Sequence, residues 1–477
     1  MWVYIILGIV LLFILVILIR TFTFKPIKQK EPDTDTIEFD KEKAISSLQQ
    51  LIKCKTVSYY DKSLEDDNEF QKLIDLIPEL YPNVTKTCTF TQLPDRALLF
   101  LWKGKKSENP AVMMAHYDVV PVEEEMWEKP PFEAIIEDGV MWGRGTLDTK
   151  VTFNAILSAA NELIEKEFVP ENDIYFAFSG GEEVNGKGAE NIVQWFKTNN
   201  ITPYLVVDEG GGVVENVFPG VKKPCGLIGI AEKGMMNLTF KTNSSGGHAS
   251  APKPHTPIGI LSKACKKVED KPFPMHLTTP AKEMFNVLGR HSTFLFKMIF
   301  ANMWLFKGVL DLIAKTSGGE MNALLRTTVA FTQVQGSSAP NVIPPNASFV
   351  ANMRLNPEDS VESALNRIKK TVNDEKIELI VGSHMEPSPI SEVYCPQWDK
   401  VANAVASTWR GCIVAPYLMV QCSDSRHYKD ISNHVYKFSA MDLTKEERAS
   451  IHGNNEKIRL EALCRTVEFY IRLLKSC

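Results

Sequence analysis

Two histidines and a scattered set of carboxylates carry the chemistry that this 477-residue chain could perform. His116 closes the apolar run Val112-Met113-Met114-Ala115, and Asp118 follows two positions later. Such a run reads as a buried strand, with His116 at the carboxyl end, where open α/β sheets place ligand-binding groups. Residues two apart on an extended segment share a face, so Asp118 can hold the ring nitrogen of His116 that does not face a ligand. Asp148 lies where the turn Gly143-Arg144-Gly145 gives way to a helix. Glu182 and Glu183 follow the apolar strand Ile174–Phe178 and the turn Ser179-Gly180-Gly181. Asp208 ends Leu205-Val206-Val207 and precedes Glu209 and three glycines. His452 sits far downstream, in a turn rich in Gly and Asn just before the terminal helix.

Two histidines with three or four carboxylates and no thiolate suit a divalent ion such as zinc, manganese or cobalt. The set is too large for one tetrahedral zinc and suits two ions that share a carboxylate and a water losing its proton near neutral pH. One glutamate of the adjacent pair then serves as general base and later as acid toward the leaving amine. The sequence has no Gly-x-Ser-x-Gly elbow, no Walker loop and no dinucleotide fingerprint.

The elements that must position these groups alternate. Helices are predicted at about Lys41–Cys54, Asn68–Tyr81, Val151–Glu167 and Lys457–Lys475. Strands end at His116, before Ser179 and at Asp208. This order predicts a predominantly parallel sheet with helices on both faces. The length allows about two or three domains. A hydrophobic content of 44% and a charged content of 23% describe an ordinary folded chain, and a net charge of −5 gives no reason to expect nucleic acid as a partner.

The uncharged run Trp2–Ile19 is long enough to span a bilayer. No basic segment precedes it and no small-x-small cleavage site follows, so residues 1–21 read as an anchor in preference to a cleaved signal peptide. Residues 22–38, with Pro26 and Pro32, read as a linker. Arg20, Lys25, Lys28 and Lys30 follow the run, which by the positive-inside rule favours a cytoplasmic body. The Asn-x-Ser/Thr sequons at Asn83, Asn200, Asn237, Asn243 and Asn346 favour a luminal or extracellular one, in the secretory pathway. The nine cysteines show neither a Cys-x-x-Cys pattern nor a dense disulfide framework.

The segments AHYDVVPV, GRGTLDTK, SGGEEVNGKGA, VVDEGGG, GGHASAP, SDSRHY and IHGNNEKI occur in that order. Together they resemble the di-zinc aminoacylase/carboxypeptidase family, most closely its carboxypeptidase S and N-fatty-acyl-amino-acid synthase/hydrolase branch, over about residues 40–477. The resemblance implies an α/β fold. A phosphorylase/hydrolase-like di-zinc exopeptidase domain would be formed by residues 39–231 and 386–477, with a smaller α+β lid of the dimerisation type inserted at 232–385. It implies two Zn2+, with Mn2+ or Co2+ as substitutes. His116 and Asp208 would bind one ion, Glu183 and His452 the other, and Asp148 would bridge them. Glu182 would be the general base and Asp118 would orient His116. His248 would polarise the scissile carbonyl from the lid, and Asn341, Arg354 and Arg426 would hold the substrate carboxylate, which suits the arginine fork. Thr149-Lys150 after the bridging aspartate departs from many relatives and fits this branch. The implied activity is hydrolysis of N-fatty-acyl amino acids, with their condensation as the reverse direction; the alternative is a carboxypeptidase S-like exopeptidase on short peptides. A homodimer through the lid is also implied.

One stretch of the lid region, Met284–Leu310, carries Phe285, Phe294, Leu295, Phe296, Met298, Ile299, Phe300, Met303, Trp304, Leu305 and Phe306. It reads either as a helix buried against the lid sheet or a partner subunit, or as an apolar surface that admits an acyl chain or touches membrane.

Overall fold

A nine-stranded sheet runs through the centre of the computed structural model, which describes residues 1–27, 31–216 and 218–477. Lys28 and Lys30 of the basic run lie outside the described residues. Across the sheet the strands are Thr89–Leu93, Ala97–Trp102, Asn172–Ser179, Lys106–His116, Leu205–Asp208, Val435–Lys437, Cys225–Glu232 and Ile413–Met419, with Gly212–Val214 paired beside Cys225–Glu232. The strands from Asn172–Ser179 to Val435–Lys437 are mutually parallel. Antiparallel pairs flank them on both sides, so the sheet is mixed.

The parallel core explains the continuous apolar runs, because such strands are covered on both faces. On one face the helices Lys150–Glu165 and Leu460–Ser476 pack over Met113, Phe176 and Val207. On the other, Gly188–Thr198 packs over Val112, Ala177 and Val206. The parallel strands end on one edge, which delivers their terminal residues to a common place.

A second, four-stranded antiparallel sheet runs in the order Thr328–Gln335, Asn346–Leu355, Gly234–Asn243, Glu378–Met385. The helices Pro257–Asp270 and Val361–Val372 cover it with a core of their own that includes Phe240, Leu261, Met353 and Ile368. This smaller sheet and its two helices fall between Gly234 and Met385.

The aromatic stretch does not pack on that sheet. The helix Thr279–Gly289 lies on the outermost central strand, Ile413–Met419. Phe285, Leu288 and Phe300 share a core with Phe218, Ala415 and Leu418. An edge strand with apolar side chains needs a cover, and this insertion returns to supply it. The first helix, Trp2–Thr23, projects from the same corner with only Thr21 buried, and by composition and length it is a candidate membrane span. All nine cysteines are free thiols.

Candidate metal centre

His116 ends its strand directly opposite Ser179 of the neighbouring parallel strand. Its Nδ1 lies 3.0 Å from the main-chain oxygen of Asp118 and 3.5 Å from the Asp118 carboxylate. That leaves Nε2 facing Asp148 Oδ1 at 3.0 Å and Glu209 Oε1 at 3.5 Å. The Asp118 carboxylate is fully buried and accepts from the backbone N–H groups of Glu182 (3.1 Å) and Glu183 (3.2 Å). Asp118 therefore links the histidine to the glutamate pair, and its main-chain oxygen makes the closest contact with the ring.

Asp148 presents one oxygen to each histidine. Its Oδ2 lies 2.9 Å from His452 Nε2, which is also 3.1 Å from Glu183 Oε2. The loop that carries Asp148 is held by Glu456, four residues beyond His452. Glu456 is fully buried and accepts from Arg144 Nη1 at 2.6 Å and from the N–H groups of Gly145, Leu147 and Asp148 at 3.1, 2.6 and 3.2 Å. Arg144 also donates to the Gly453 carbonyl at 2.8 Å. Two segments remote in sequence are thereby clamped together, one bearing Asp148 and the other His452.

The Asp208–Glu209 pair divides in a way the motif alone did not predict. Asp208 Oδ2 accepts from the Ser425 N–H at 2.8 Å, which turns its carboxylate toward the Ser423–Arg426 turn. Glu209, one residue beyond the strand, approaches His116. The following glycines permit this: Gly211 has φ 72°, and a Cβ there would lie 2.1 Å from the Leu227 carbonyl oxygen. Successive residues at a strand end face opposite ways, and Glu209 is the one whose carboxylate contacts His116.

Two sets of potential ligand atoms result, each within 4.8 Å of one another: His116, Asp148 and Glu183, and His116, Glu182 and Glu209. The electrostatics of the cluster show a shortage of positive charge. Burial, reinforced by Asp148, lifts Glu209 to about 8. Burial also lifts Glu182 well above the usual carboxyl range, with Asp424, Glu209 and Glu183 adding to the effect. Bonds to Asp148 and Glu183 push His452 up to about 11. Burial opposes the His116 imidazolium, yet Glu209, Asp118 and Asp148 hold its pKa well above the ordinary value. Carboxyls that retain protons beside imidazoles that retain theirs are the expected response of buried acids lacking cations. Glu183 Oε1 is buried with no hydrogen-bond partner among the described residues. Both observations fit a divalent-cation site, since bound cations reverse this pKa logic.

Arg426 reaches the cluster: Nη1 lies 4.0 Å from Glu182 Oε1, and Nη2 lies 3.8 Å from Asp424. Ser423 O (2.7 Å) and Asn185 Oδ1 (3.2 Å) fix its guanidinium. Arg354, on the smaller sheet, contacts Cys422 Sγ at 3.5 Å and so meets the same turn from the other side. His248 and Asn341 are brought together with each other, and among the described residues no hydrogen bond or ion pair joins them to the acidic cluster. They lie at the exposed two-stranded antiparallel pair Gly247–His248/Val342–Ile343, whose strands are remote in sequence; there the Ala249 N–H donates to Asn341 O at 2.9 Å and His248 Nδ1 lies 2.7 Å from Ser250 Oγ.

Three contributing residues lie inside the quoted segments but drew no role from the sequence. Glu456 and Asp424 act through backbone and hydroxyl partners, and Asp424 accepts from Ser179. Lys150 is fully buried and donates to the Leu51 and Cys54 carbonyls at 3.0 and 2.5 Å, which ties the start of the Asp148 helix to the end of the Lys41–Ile52 helix.

Comparison with known proteins places the chain in context. Residues 112–476 match the family model described as Peptidase family M20/M25/M40. The N-fatty-acyl-amino acid synthase/hydrolase PM20D1 of Xenopus tropicalis is 33% identical over 480 residues, covering 98% of this chain and 93% of the relative. A probable carboxypeptidase S-like 2 of Dictyostelium discoideum is 31% identical over 480 residues, covering 97% and 92%. The crystal structure of an M20 family metallo-carboxypeptidase, Sso-CP2 from Sulfolobus solfataricus, superposes with a TM-score of 0.66 at 16% identity, covering 91% of this chain and 98% of that one.

Proposed function

We propose, from the premise that this chain belongs to peptidase family M20/M25/M40 and is a metal-dependent hydrolase, that it cleaves the amide bond of N-fatty-acyl amino acids. The observation that carries the reading is the fixed guanidinium of Arg426 beside Glu182, in a chain alignable almost end to end with an N-fatty-acyl-amino acid synthase/hydrolase. The substrate class has a free carboxylate one amino acid away from the scissile bond, and the arginine fork is suited to hold it. The same catalyst runs condensation when fatty acid and amino acid are in excess. A second reading, exopeptidase action on short peptides, is favoured by the carboxypeptidase S-like relative.

Two zinc ions are the proposed cofactors, with manganese or cobalt as substitutes. His116, Asp148 and Glu209 would hold one; Glu183, His452 and Asp148 the other. When bound, the ions supply an acidified water and an electrophile for the carbonyl oxygen. Glu182 takes the proton and returns it to the departing amine. Asp118 keeps Glu182 and Glu183 in place through their backbone amides. His248 and Asn341, adjacent at their two-stranded pair, and Arg354 are assigned to the substrate side.

The assignment of Glu209 in place of Asp208 is testable by metal content. Glu209→Gln is expected to lower bound metal from two ions to about one per chain, while Asp208→Asn retains two, by the ligand count of such sites. The reverse result would restore Asp208 as the ligand.

The first helix is proposed as a membrane anchor, with the body in the lumen of the secretory pathway or outside the cell. Expression of the full chain in a eukaryotic host tests location and activity together. The expected product is membrane-bound, loses mass on glycosidase treatment, and in a mixture of dipeptides and N-acyl amino acids consumes the long-chain acyl substrates first. Chelator is expected to abolish every activity. Preference for dipeptides over all acyl lengths would transfer the assignment to the exopeptidase reading.

A further inference from the structure

The helices Phe294–Ala301 and Met303–Ser317 bury one side in the core built around Thr279–Gly289 at the sheet edge and leave the other bare. Phe300, Leu310 and Ala314 face inward. Outward, Trp304, Gly308 and Leu312 form one row at four-residue spacing, and Leu305, Val309 and Ile313 form the next. Leu295 is 61%, Trp304 57% and Leu312 62% exposed. A contiguous apolar face of this kind marks an interaction surface.

The first helix indicates what covers it. Arg20 donates from Nε and Nη2 to the Ala301 carbonyl at 3.2 and 3.1 Å, and Asn302 Nδ2 donates to the Ile17 carbonyl at 3.3 Å. Phe22 meets Phe294 with ring centroids 5.7 Å apart, and Phe13 meets Trp304 at 5.8 Å. These contacts fix a depth. From Phe22 to Phe13 the helix rises about 13 Å. If Arg20 to Phe24 lie at headgroup level, Trp304 lies near the middle of a hydrocarbon layer about 30 Å thick. At the corner between the two helices the Asn302 amide NH2 finds its acceptors within the protein, Met298 O and Thr21 Oγ1 included, while its Oδ1 has no partner among the described residues. Arg290 stacks on Phe24 at 4.3 Å and donates to Lys25 O at 2.8 Å, which places cations where the chain leaves the apolar zone. Lys297 and Lys307 have stems long enough to reach outward.

We propose that Phe294–Ala301 and Met303–Ser317 form a second membrane-embedded element, whose occupant is the acyl region of a phospholipid bilayer. The enzyme body is then held against the lipid beside its anchor, in one orientation, instead of being tethered through a loose linker. The proposal rests on the anchor reading of Trp2–Thr23 and is independent of the substrate reading.

The test uses the full chain reconstituted in phosphatidylcholine vesicles that contain a lipid with a photoactivatable diazirine midway along its acyl chain. After irradiation, adducts are mapped by mass spectrometry. The expected result is adducts on the first helix and also within residues 294–313. In Leu295→Asp/Leu312→Asp the adducts in 294–313 should fall about tenfold or more, as expected for carboxylates placed in hydrocarbon, while those on the first helix and the thermal midpoint in detergent stay unchanged. The wild-type map is decisive even if this variant folds poorly. Adducts confined to the first helix overturn the proposal, and a bifunctional cross-link joining residues 294–313 of two copies would assign the face to self-association. Absence of adducts on both segments overturns the anchor reading as well.

Discussion

Glu182→Gln is expected to lower kcat by about two to four orders of magnitude, the contribution of a positioned proton carrier, while bound metal remains at the wild-type level. The substitution keeps size and shape, and the backbone bond from residue 182 to Asp118 is unaffected because it is made by the main chain. What it removes is the proton-accepting oxygen in a place where Arg426 stands 4.0 Å away and the other carboxylates of the cluster crowd close by. An amide can neither accept the proton of the attacking water nor deliver one to the amine. KM for the acyl amino acid should change little, since Arg426 retains its bonds to Ser423 O and Asn185. Glu183→Gln makes the contrast. Glu183 contacts His452 at 3.1 Å and has an unpartnered buried oxygen, so its loss should show first as reduced metal content. Turnover near the wild-type rate in Glu182→Gln would remove Glu182 from the proton path. Reduced metal content in that variant would make it a ligand.

The groups that carry this chemistry were legible because each ends a strongly apolar strand or occupies a glycine-rich turn. His116, Asp148, Glu183 and His452 were each marked by an abrupt change from apolar or glycine-rich sequence to a single chemically active residue, and the structure brings all four into contact. Which of Asp208 and Glu209 approaches His116 was less legible. Two adjacent acids after one strand face opposite ways, and their partners are neighbours in space: Glu209 faces His116, and Asp208 accepts from the Ser425 N–H. The placement of Met284–Leu310 was hidden for a related reason. In sequence it lies between strands of the smaller sheet, but its partners Ala415 and Leu418 lie far downstream, on the edge of the larger one. The alternation of strand and helix likewise predicted the parallel centre and gave no sign of the antiparallel flanks, which are set by pairing over short connections such as Thr89–Leu93 with Ala97–Trp102.

Glu456→Gln should be the most damaging substitution among residues that touch neither substrate nor metal. An ionised carboxylate is the only side chain of this size that can accept from every donor aimed at this point, namely Arg144 Nη1 and the N–H groups of Gly145, Leu147 and Asp148. Burial raises its pKa, and Arg144 and the backbone amides of Leu147 and Gly145 act against that rise. Glutamine offers one acceptor oxygen and turns its own NH2 toward the remaining donors, leaving a buried guanidinium without a counter-charge. Breaking a buried pair from one side costs about 3–5 kcal/mol. Because the clamp fixes the loop of Asp148 against the turn of His452, metal affinity should also fall about 10- to 100-fold, the usual effect of losing a group that orients ligands. Denaturant midpoints and competition with a chelating dye measure the two losses separately. The double variant Glu456→Gln/Arg144→Met removes the stranded charge. It should recover part of the stability, whereas the metal affinity stays low, because the amides of Leu147 and Asp148 still lack their acceptor. If affinity returned together with stability, Glu456 would be a packing residue, and the position of Asp148 would be set by the strands alone.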